Sequence, residues 1–498
     1  MRFLFFFPST GYYNRAISNP LGLLAIGSFL KKNGHEVKIA DRNIERIDLK
    51  KLFDSFRPDA VGISVMSARG IKDALKISRI GKENGVPVVW GGQMSSMQPE
   101  LSLSSEYVDF VSYGEGEYTW LEIAEALEKK TPLTDIRGLI YLDGNGELVF
   151  TGERPFADLA EFGRLDFSLL QMEKYAQRYL GCKKMVYLYS AKGCPGNCAF
   201  CANTKFHKST FRKRPTGYVV AEMKELSEKY GIDGIYFSDE VFCLKRSDVV
   251  EFCETLKREN IDVQFGIQLR IGICREEELQ LLYDSGCRWA LFGVETGNKE
   301  MQKRIHKHIN YDIVRQTIEI TDRIGITPVA TFIVGYPGET EEQIRDTVHM
   351  INSLKTSLIP LSLFTPLPGT EFYNEVVASG AYTPPKDLRE LSRLIATESV
   401  GQNLSAVPSR DLRVIKSWFT WKAFTDKQAV KSDKKFEFAI DTIVSGLSSI
   451  SMKGVISFFV NGFAAMREFT SVFMYSHFFP SVIRKYDLNV ETKEQEGS

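Results

Sequence analysis

The sequence predicts an α/β protein with an N-terminal doubly wound parallel sheet, a partial (β/α)6 barrel and a mainly helical C-terminal region. Apolar, strand-like runs alternate with helical stretches from the first residues to about residue 375. An Asp-Gly-Asn-Gly stretch near residue 145, typical of a hairpin, interrupts the alternation. We therefore place a sheet domain at 1–140, a linker with a hairpin at 141–184, the barrel at 185–375 and the helical region at 376–498.

The composition excludes several classes of protein. The 498 residues carry 63 Lys and Arg against 63 Asp and Glu, so no nucleic-acid partner is expected. Eight cysteines are too few for a disulfide scaffold, and the close spacing of three of them favours a reducing, cytoplasmic location. No apolar run reaches 18 residues, and the apolar N-terminus is predicted to form a first strand rather than a signal peptide.

Strands and helices of the first region place small residues at one edge of its sheet. The predicted strands are Arg2–Phe7, Glu36–Ala40, Ala60–Val65, Val86–Trp90 and Tyr107–Tyr113, with helices at Leu21–Asn33 and Ile71–Asn84. Ligands of such sheets bind beyond the carboxyl ends of the strands. Any one glycine-rich turn there is ordinary, but several on one edge predict a binding face, since glycine lets a large flat ligand lie against the backbone.

The third region repeats a strand–helix unit. The predicted strands are Met185–Ser190, Gly234–Ser238, Val263–Gln268, Trp289–Val294, Pro328–Val334 and Pro360–Phe364. The predicted helices are Tyr218–Tyr230, Ser247–Glu259, Glu276–Ser285, Tyr311–Ile324 and Glu339–Leu354. Six strands with five helices between them indicate a partial barrel, in which chemistry takes place at the carboxyl ends of the strands.

The most informative motif follows the first barrel strand. Cys194, Cys198 and Cys201 have the spacing C-x3-C-x2-C. Three thiolates at this spacing can hold three irons of a cubane cluster and leave the fourth iron open. A zinc site would need a fourth ligand, and His207, the nearest histidine, lies in a basic stretch that predicts exposure. The other cysteines are expected to be buried thiols, namely Cys182, Cys243, Cys253, Cys274 and Cys287.

This motif on a barrel resembles the radical S-adenosylmethionine (SAM) enzymes. The resemblance implies that Cys194, Cys198 and Cys201 hold a [4Fe–4S] cluster, that SAM binds the fourth iron, and that one electron cleaves SAM to a 5′-deoxyadenosyl radical. It also implies an external one-electron reductant of the flavodoxin or ferredoxin type. The implied SAM-binding residues are Phe200 near the adenine, Ser238, Asp239 and Glu240 near the amino group, Glu295 near the ribose, and Gly335 in the turn after the fifth strand.

Two residues at the end of the third barrel strand have no role in the resemblance. Gln268 and Arg270 could reach SAM or the substrate, or they could form a structural ion pair. The sequence assigns no catalytic residue beyond the cluster and SAM sites.

The N-terminal sheet, together with the barrel, resembles the cobalamin-binding branch of these enzymes, which includes methylases and the anaerobic porphyrin cyclase. Ser64, Gly91 and Gly92 match this branch and are expected to bind cobalamin. The chain departs from the pattern at two places. Asp41-Arg42-Asn43 stands where related domains have a cobalt-binding histidine, and Gln93-Met94 replaces Pro-His after the two glycines.

The resemblance implies C-methylation of an unactivated carbon in a small-molecule or lipid-like substrate. The alternative is a radical rearrangement or oxidative cyclisation without methyl transfer. Methylthiolation is disfavoured, because no cysteine precedes Cys182. The aromatic stretch from Gly454 to Phe479 predicts a helical pair, with peripheral membrane contact as the other possibility. Arg212-Lys213-Arg214 could meet an anion, although a solvated face is the expected reading.

Overall fold

The computed structural model describes residues 1–10, 18–356, 358–393, 402–425 and 479–488. The chain divides into two compact units. The first unit comprises Met1–Ala176, Arg212–Glu222 and Thr383–Ala396, and the second comprises Gln177–Phe211, Met223–Tyr382 and Thr397–Ser498. The sequence-based boundaries at residues 140, 184 and 375 stay predictions.

The first unit contains a seven-stranded sheet in the order β2-β1-β3-β4-β5-β6-β7. Its strands are β1 (Arg2–Phe7), β2 (Glu36–Asp41), β3 (Ala60–Ser64), β4 (Val88–Gly91), β5 (Phe110–Ser112), β6 (Leu139–Leu142) and β7 (Leu148–Phe150). The first five are parallel, and β6 and β7 add as an antiparallel hairpin. The strand order reverses at β1, and this reversal marks the usual ligand-binding edge of a doubly wound sheet. The predicted fold of this region is confirmed.

The interior strand β1 is buried on both faces. Phe3, Leu4, Phe5 and Phe6 are all fully buried, and alternate side chains enter two separate hydrophobic cores. Such continuous apolar runs are typical of parallel strands covered by helices on both sides. A side chain on Gly62 of β3 would lie only 2.4 Å from the ring of Phe5, so this position in the sheet needs glycine.

The second unit contains a seven-stranded sheet in the order β16-β15-β14-β13-β12-β9-β8. Its strands are β8 (Gln177–Tyr179), β9 (Cys182–Leu188), β12 (Gly234–Phe237), β13 (Gln264–Leu269), β14 (Cys287–Glu295), β15 (Thr327–Val334) and β16 (Leu361–Leu363). Six are parallel, which confirms the predicted six-stranded partial barrel. The added antiparallel strand, β8, lies in the predicted linker. Two short strands, β10 (Ala191–Lys192) and β11 (Arg212–Lys213), complete the set.

Helices separate the strands of both sheets. In the first part of the chain they are α1 (Leu21–Lys32), α2 (Leu49–Phe56), α3 (Ile71–Glu83), α4 (Gln93–Met97), α5 (Pro99–Leu103), α6 (Glu117–Lys129) and α7 (Leu159–Phe162). From the cysteine motif onward they are α8 (Asn203–Phe206), α9 (Thr216–Tyr230), α10 (Arg246–Arg258), α11 (Glu276–Asp284), α12 (Lys299–Arg304), α13 (Tyr311–Ile324), α14 (Glu341–Asn352), α15 (Glu371–Ala378), α16 (Leu388–Leu391), α17 (Ser409–Thr425) and α18 (Pro480–Lys485).

The C-terminal segment 479–488 is held against α17 of the second unit by polar contacts. Lys485 Nζ lies 3.2 Å from the buried carboxylate of Asp411 in α17, and Trp418 donates a hydrogen bond of 3.0 Å to the carbonyl of Leu488. The helices α17 and α18 agree with a helical C-terminal region. The aromatic stretch from Gly454 lies outside the described residues, except for Phe479. No helix among the described residues is long and apolar enough to cross a membrane.

Candidate active site

The cysteine motif lies at the carboxyl end of β9. A methyl group placed on Gly196 would lie 3.4 Å from the sulfur of Cys194, 3.8 Å from that of Cys198, and 3.9 Å from Nη1 of Arg270. Two thiols and one guanidinium thus lie around Gly196, each at van der Waals distance from the position of an added Cβ. Burial raises the pKa of the Cys198 thiol and raises that of Cys201 to about 11, with the neighbouring thiols adding to the effect.

Buried thiols of this kind stay protonated unless a cation replaces the proton. In the part of the chain that the structure describes, no group of three or more His, Cys, Asp or Glu side chains is arranged to hold a single metal ion. The other five cysteines are buried thiols outside any disulfide, as predicted.

Asp239, at the end of β12, holds the chain that leads into the cysteine motif. Its carboxylate accepts hydrogen bonds from the backbone N–H of Ser190 (2.8 Å), the hydroxyl of Ser190 (2.5 Å) and the N–H of Ala191 (3.1 Å). The side chain is buried, and burial raises its pKa to about 7. The structure therefore directs Asp239 inward and leaves Ser238 and Glu240 exposed at the strand end.

Glu240 holds the other side of the same loop. Its carboxylate accepts the N–H of Gly193 at 2.9 Å and lies 3.5 Å from Nε2 of His207. Gly193 has a φ of 85°, and a side chain there would lie 2.2 Å from the carbonyl oxygen of Thr210. The predicted exposure of His207 is wrong, because the ring is buried against Glu240.

Glu295, at the end of β14, has a strained backbone. Its φ is 73°, and the N–H of Thr296 donates to the carbonyl of Val294 at 3.0 Å across it. A γ-turn with positive φ is rare in proteins, and such strain is concentrated at functional sites. The Glu295 carboxylate lies 3.2 Å from Nζ of Lys307.

The flanking glycines of the Gly-Val-Glu-Thr-Gly motif have separate structural roles. A side chain on Gly293 would lie 2.3 Å from the Glu295 carboxylate and 2.8 Å from Nζ of Lys307. A side chain on Gly297 would lie 2.5 Å from the carbonyl of Asp346 in α14. The first glycine therefore makes room for the ion pair, and the second lets the turn pack against a helix.

Residues 305–307 contact the cysteine motif from the opposite side. The N–H of Ala199 donates to the carbonyl of Ile305 at 3.2 Å, and Nδ1 of His306 lies 3.1 Å from the carbonyl oxygen of Asn197. Burial by itself would lower the pKa of Lys307, but the charges of Glu295 and Cys198 have the larger combined effect, so the pKa is raised. The sequence did not predict a role for Lys307, because the contacts that bring residues 305 and 306 to the motif join residues more than a hundred positions apart, although the pairing of Lys307 with Glu295 spans only 12 residues.

Arg270 resolves one of the open alternatives. Its side chain is exposed beside the cysteine motif, and its guanidinium forms no hydrogen bond or ion pair with any described residue. A structural ion pair within the described chain is thereby excluded. Gln268 instead hydrogen-bonds to Tyr236 and lowers the pKa of that hydroxyl, against a larger upward effect of burial.

The turn after β15 borders the site. Gly335 has a φ of 88°, and the buried carboxylate of Glu339 accepts its N–H at 2.6 Å and that of Tyr336 at 3.1 Å. The ring of Tyr336 lies 5.8 Å from that of Phe200, between centroids. The structure thus brings Phe200 and Gly335 together with the cysteine motif.

In the first unit, Ser64, Gly91 and Gly92 lie side by side. Ser64 and Gly91 are paired across β3 and β4. Gly92 has a φ of 92°, and a side chain there would lie 3.1 Å from the carbonyl oxygen of Val65. Gly91 has open space around it apart from Ser112, whose buried hydroxyl has no partner among the described residues. This cradle of bare backbone fits a large flat ligand.

Asp41 and Asn43, near the expected cobalt-ligand position, bond to the surrounding chain. The amide of Asn43 bonds to Asp41 and the carbonyl of Pro8, and its oxygen accepts the N–H of Thr10 at 2.9 Å. Asp41 also accepts the hydroxyl of Tyr175 at 3.0 Å. These side chains build the sheet edge.

The expectation of a solvated face for the basic stretch after the motif is wrong for Arg212 and Arg214. Arg212 is paired with Glu115 and lies over the ring of Phe156 at 4.4 Å. Arg214 is buried and paired with the buried Glu222. Glu115 is 97 residues from Arg212, and Glu222 lies within helix α9, eight residues after Arg214. The charge pattern of the basic stretch alone therefore does not predict either pair.

A cysteine motif at the carboxyl end of the first strand of a six-stranded parallel partial barrel defines the radical SAM class. Residues 188–351 match the radical SAM superfamily, and residues 15–124 match the B12 binding domain. The chain is therefore a radical SAM enzyme that carries a B12-binding domain, and its cofactors are a [4Fe–4S] cluster, SAM and cobalamin.

Similar proteins span most of the chain. An uncharacterized methyltransferase of Pyrococcus horikoshii is 29% identical over 72% of this chain and 79% of its own length. The anaerobic magnesium-protoporphyrin IX monomethyl ester cyclase of Rubrivivax gelatinosus is 26% identical over 76% and 70%. The hopanoid C-3 methylase of Methylococcus capsulatus is 23% identical over 71% and 68%.

Two solved structures establish the fold. The radical SAM methyltransferase TsrM of Kitasatospora setae, with cobalamin and a [4Fe–4S] cluster bound, has a TM-score of 0.65 at 19% identity and covers 77% of this chain and 76% of its own. The cobalamin-dependent radical enzyme OxsB, with aqua-cobalamin bound, has a TM-score of 0.71 at 16% identity, with coverages of 98% and 80%.

Proposed function

We propose that the protein uses its radical and its cobalamin to methylate an unactivated carbon of a small-molecule or lipid-like substrate. The observation that carries the proposal is the arrangement of two facing thiols and an unpaired guanidinium around Gly196, in a chain that also has a B12-binding domain. Relatives named as methyltransferases or methylases support methyl transfer over rearrangement.

The proposed cluster ligands are Cys194, Cys198 and Cys201. A cubane takes one cysteine on each of three irons, so the three sulfurs need not converge on one ion. The loop that carries them is fixed on one side by Asp239 and Glu240 and on the other by residues 305–307. This rigidity keeps the ligands in place before the cluster binds.

The polar groups around the motif are proposed to bind SAM by charge. Arg270 supplies a cation for the carboxylate, and the exposed Ser238 and Glu240 supply acceptors for the ammonium group. The Glu295–Lys307 pair is proposed to face the ribose, and Phe200 the adenine. Gly335 lets the chain turn beside Phe200.

Ser64, Gly91 and Gly92 are proposed to support the corrin ring. Bare backbone and small side chains allow a flat macrocycle to approach closely, which bulky residues would prevent. When bound, the cluster and SAM supply a hydrogen-abstracting radical and the corrinoid supplies a methyl group. The protein positions the reacting groups and excludes water. The electron is proposed to come from a flavodoxin- or ferredoxin-type donor in a reducing, cytoplasmic setting.

Anaerobic purification after iron and cobalamin supplementation tests the proposal. We expect corrinoid absorbance bands and an iron–sulfur chromophore in the wild-type protein, and loss of iron when Cys194, Cys198 and Cys201 are replaced by Ala. Turnover should give 5′-deoxyadenosine and a product heavier by one methylene. A product of unchanged methylene count would favour rearrangement or cyclisation, and a protein that never shows corrinoid bands would refute the methylation proposal.

A further inference from the structure

The ring of Tyr336 packs against the residues between the second and third cysteines. Tyr336 is fully buried in one apolar cluster with Ala199, Ile305 and Phe372, and Phe200 packs on the same cluster. Ala199 and Phe200 are the two residues that separate Cys198 from Cys201. The tyrosine ring therefore packs on the segment that joins two of the predicted cluster ligands.

The hydroxyl of Tyr336 has no hydrogen-bond partner among the described residues. Buried polar groups in native proteins are nearly always paired, because leaving one unpaired is costly. Burial holds the pKa of this hydroxyl well above its ordinary value, and the charges of Glu295, Glu339, Cys198 and Cys201 raise it further. The hydroxyl is thus a permanent donor that lacks an acceptor.

The two neighbouring carboxylates do not supply that acceptor. One oxygen of Glu339 accepts two backbone N–H groups of its own turn, and its other oxygen also has no partner among the described residues. The Glu295 oxygen Oε1 is engaged by Lys307. Because burial raises the pKa of Glu339 to about 8, its second oxygen carries the proton at neutral pH and is itself a donor. The sulfurs of Cys198 and Cys201 are therefore the remaining acceptors among the four charged groups that act on the hydroxyl.

We propose that the Tyr336 hydroxyl donates a hydrogen bond to the thiolate of Cys198 or Cys201 in the cluster-bound protein and thereby raises the reduction potential of the cluster. This inference rests on the proposed cluster ligands. Hydrogen bonds to the sulfurs are among the factors that set the potential of an iron–sulfur cluster. They favour the reduced form, because that form carries one more negative charge. Tyr336 acts here as a positioning and tuning residue and takes no part in bond breaking.

Tyr336→Phe in the cluster-loaded protein tests the inference, since it removes one oxygen and keeps the ring that packs on Ala199 and Phe200. We expect wild-type iron content and a midpoint potential shifted to a more negative value in a titration followed by electron paramagnetic resonance. Exchange into D2O should shift the Fe–S(Cys) stretching frequencies of the wild type, and this shift should be smaller in the variant.

The matched control is Tyr382→Phe, which removes the hydroxyl of another buried tyrosine, one whose ring packs on Tyr373. Its potential should equal that of the wild type. Full iron content with an unchanged potential in Tyr336→Phe would overturn the inference and leave the proposed function intact. A wild-type protein that binds no cluster would instead refute the proposed function itself.

Discussion

The strand ends of the two sheets differ in how they treat their polar groups. In the first unit, Asp41 and Asn43 bond to each other, and Arg42 pairs with Asp73 at 2.6 Å. In the barrel, Arg270 has no described partner and Tyr336 has an unpaired hydroxyl. The first edge thus pairs its charged side chains and offers bare backbone, with an unpaired hydroxyl at Ser112. The second edge has an unpaired cation as well as an unpaired donor.

This difference indicates two modes of recognition. A surface of glycine and small residues binds by shape, so that added bulk should damage it. A site with unpaired polar groups binds by charge and hydrogen bonding, so that loss of one group should damage it, because the ligand's own polar atoms would then be left unpaired.

Ionisation of Glu339 is expected to have the largest effect on stability. It tests whether a buried polar group of the barrel lowers the free energy of unfolding. Burial raises its pKa from 4.5 to about 8, against the lowering effect of two backbone N–H donors. Between these values the folded state holds a proton that the unfolded chain has lost. Stability should therefore fall as pH rises from about 5 to 8, by about 1.4 kcal/mol per pH unit at most.

Glu339→Gln, which imitates the protonated acid, should remove most of this dependence and raise the urea midpoint at pH 8 with little change at pH 5. Glu375→Gln, at an exposed carboxylate paired with Arg304, is the control and should follow the wild type. Parallel pH profiles for wild type and Glu339→Gln would contradict the expectation.

Arg270→Met tests the charge-based mode directly. Loss of a charge-assisted contact costs about 1.5–3 kcal/mol, so the Kd for SAM should rise roughly tenfold to hundredfold. Isothermal titration with the cluster-loaded protein measures it. Arg315→Met removes an exposed arginine that pairs with Asp312 on α13 and should leave the Kd unchanged. An unaltered Kd in Arg270→Met at full iron content would rule out the proposed carboxylate contact.

Gly92→Ala tests the shape-based mode, with Gly85→Ala as its control. Both glycines have positive φ, 92° and 69°. Gly92 combines it with a ψ of 173°, a conformation essentially restricted to glycine, so its substitution also carries the larger backbone strain. Only Gly92 has a carbonyl oxygen at 3.1 Å, and Gly85 has open space. Corrinoid affinity, measured by absorbance titration, should fall roughly fivefold to tenfold for Gly92→Ala alone. Equal losses in the two variants would indicate a general effect on folding.

The sequence was most informative where structure is locally determined. The bounds of β1 and α13 agree with the predicted ones to the residue, because an apolar run and a helical period with an Asn cap are local signals. The sequence did not predict α2, and it placed β8 in a linker. A three-residue strand such as β8 forms only through its pairing with β9, which no local pattern specifies.

The candidate site divides in the same way. The cysteine spacing and the glycine motifs were visible, since their chemistry or backbone conformation depends on residue type. The burial of His207, the position of Lys307 and the unpaired hydroxyl of Tyr336 depend on segments brought together by the barrel. The pairing of Arg214 with Glu222, eight residues further on, depends on how the start of α9 packs. Only the folded chain shows which polar groups remain available for ligands.

The contact between Lys485 and Asp411 has a consequence for synthesis of the protein. Asp411 is translated 74 residues before Lys485, and the next residue in its helix, Leu412, lies close to Gly335 in the turn beside the cysteine motif. Until translation reaches Lys485, the carboxylate of Asp411, which is buried in the folded protein, lacks the cation that Lys485 supplies. Iron loading that begins before translation reaches Lys485 would meet a turn whose supporting helix is not yet fully secured.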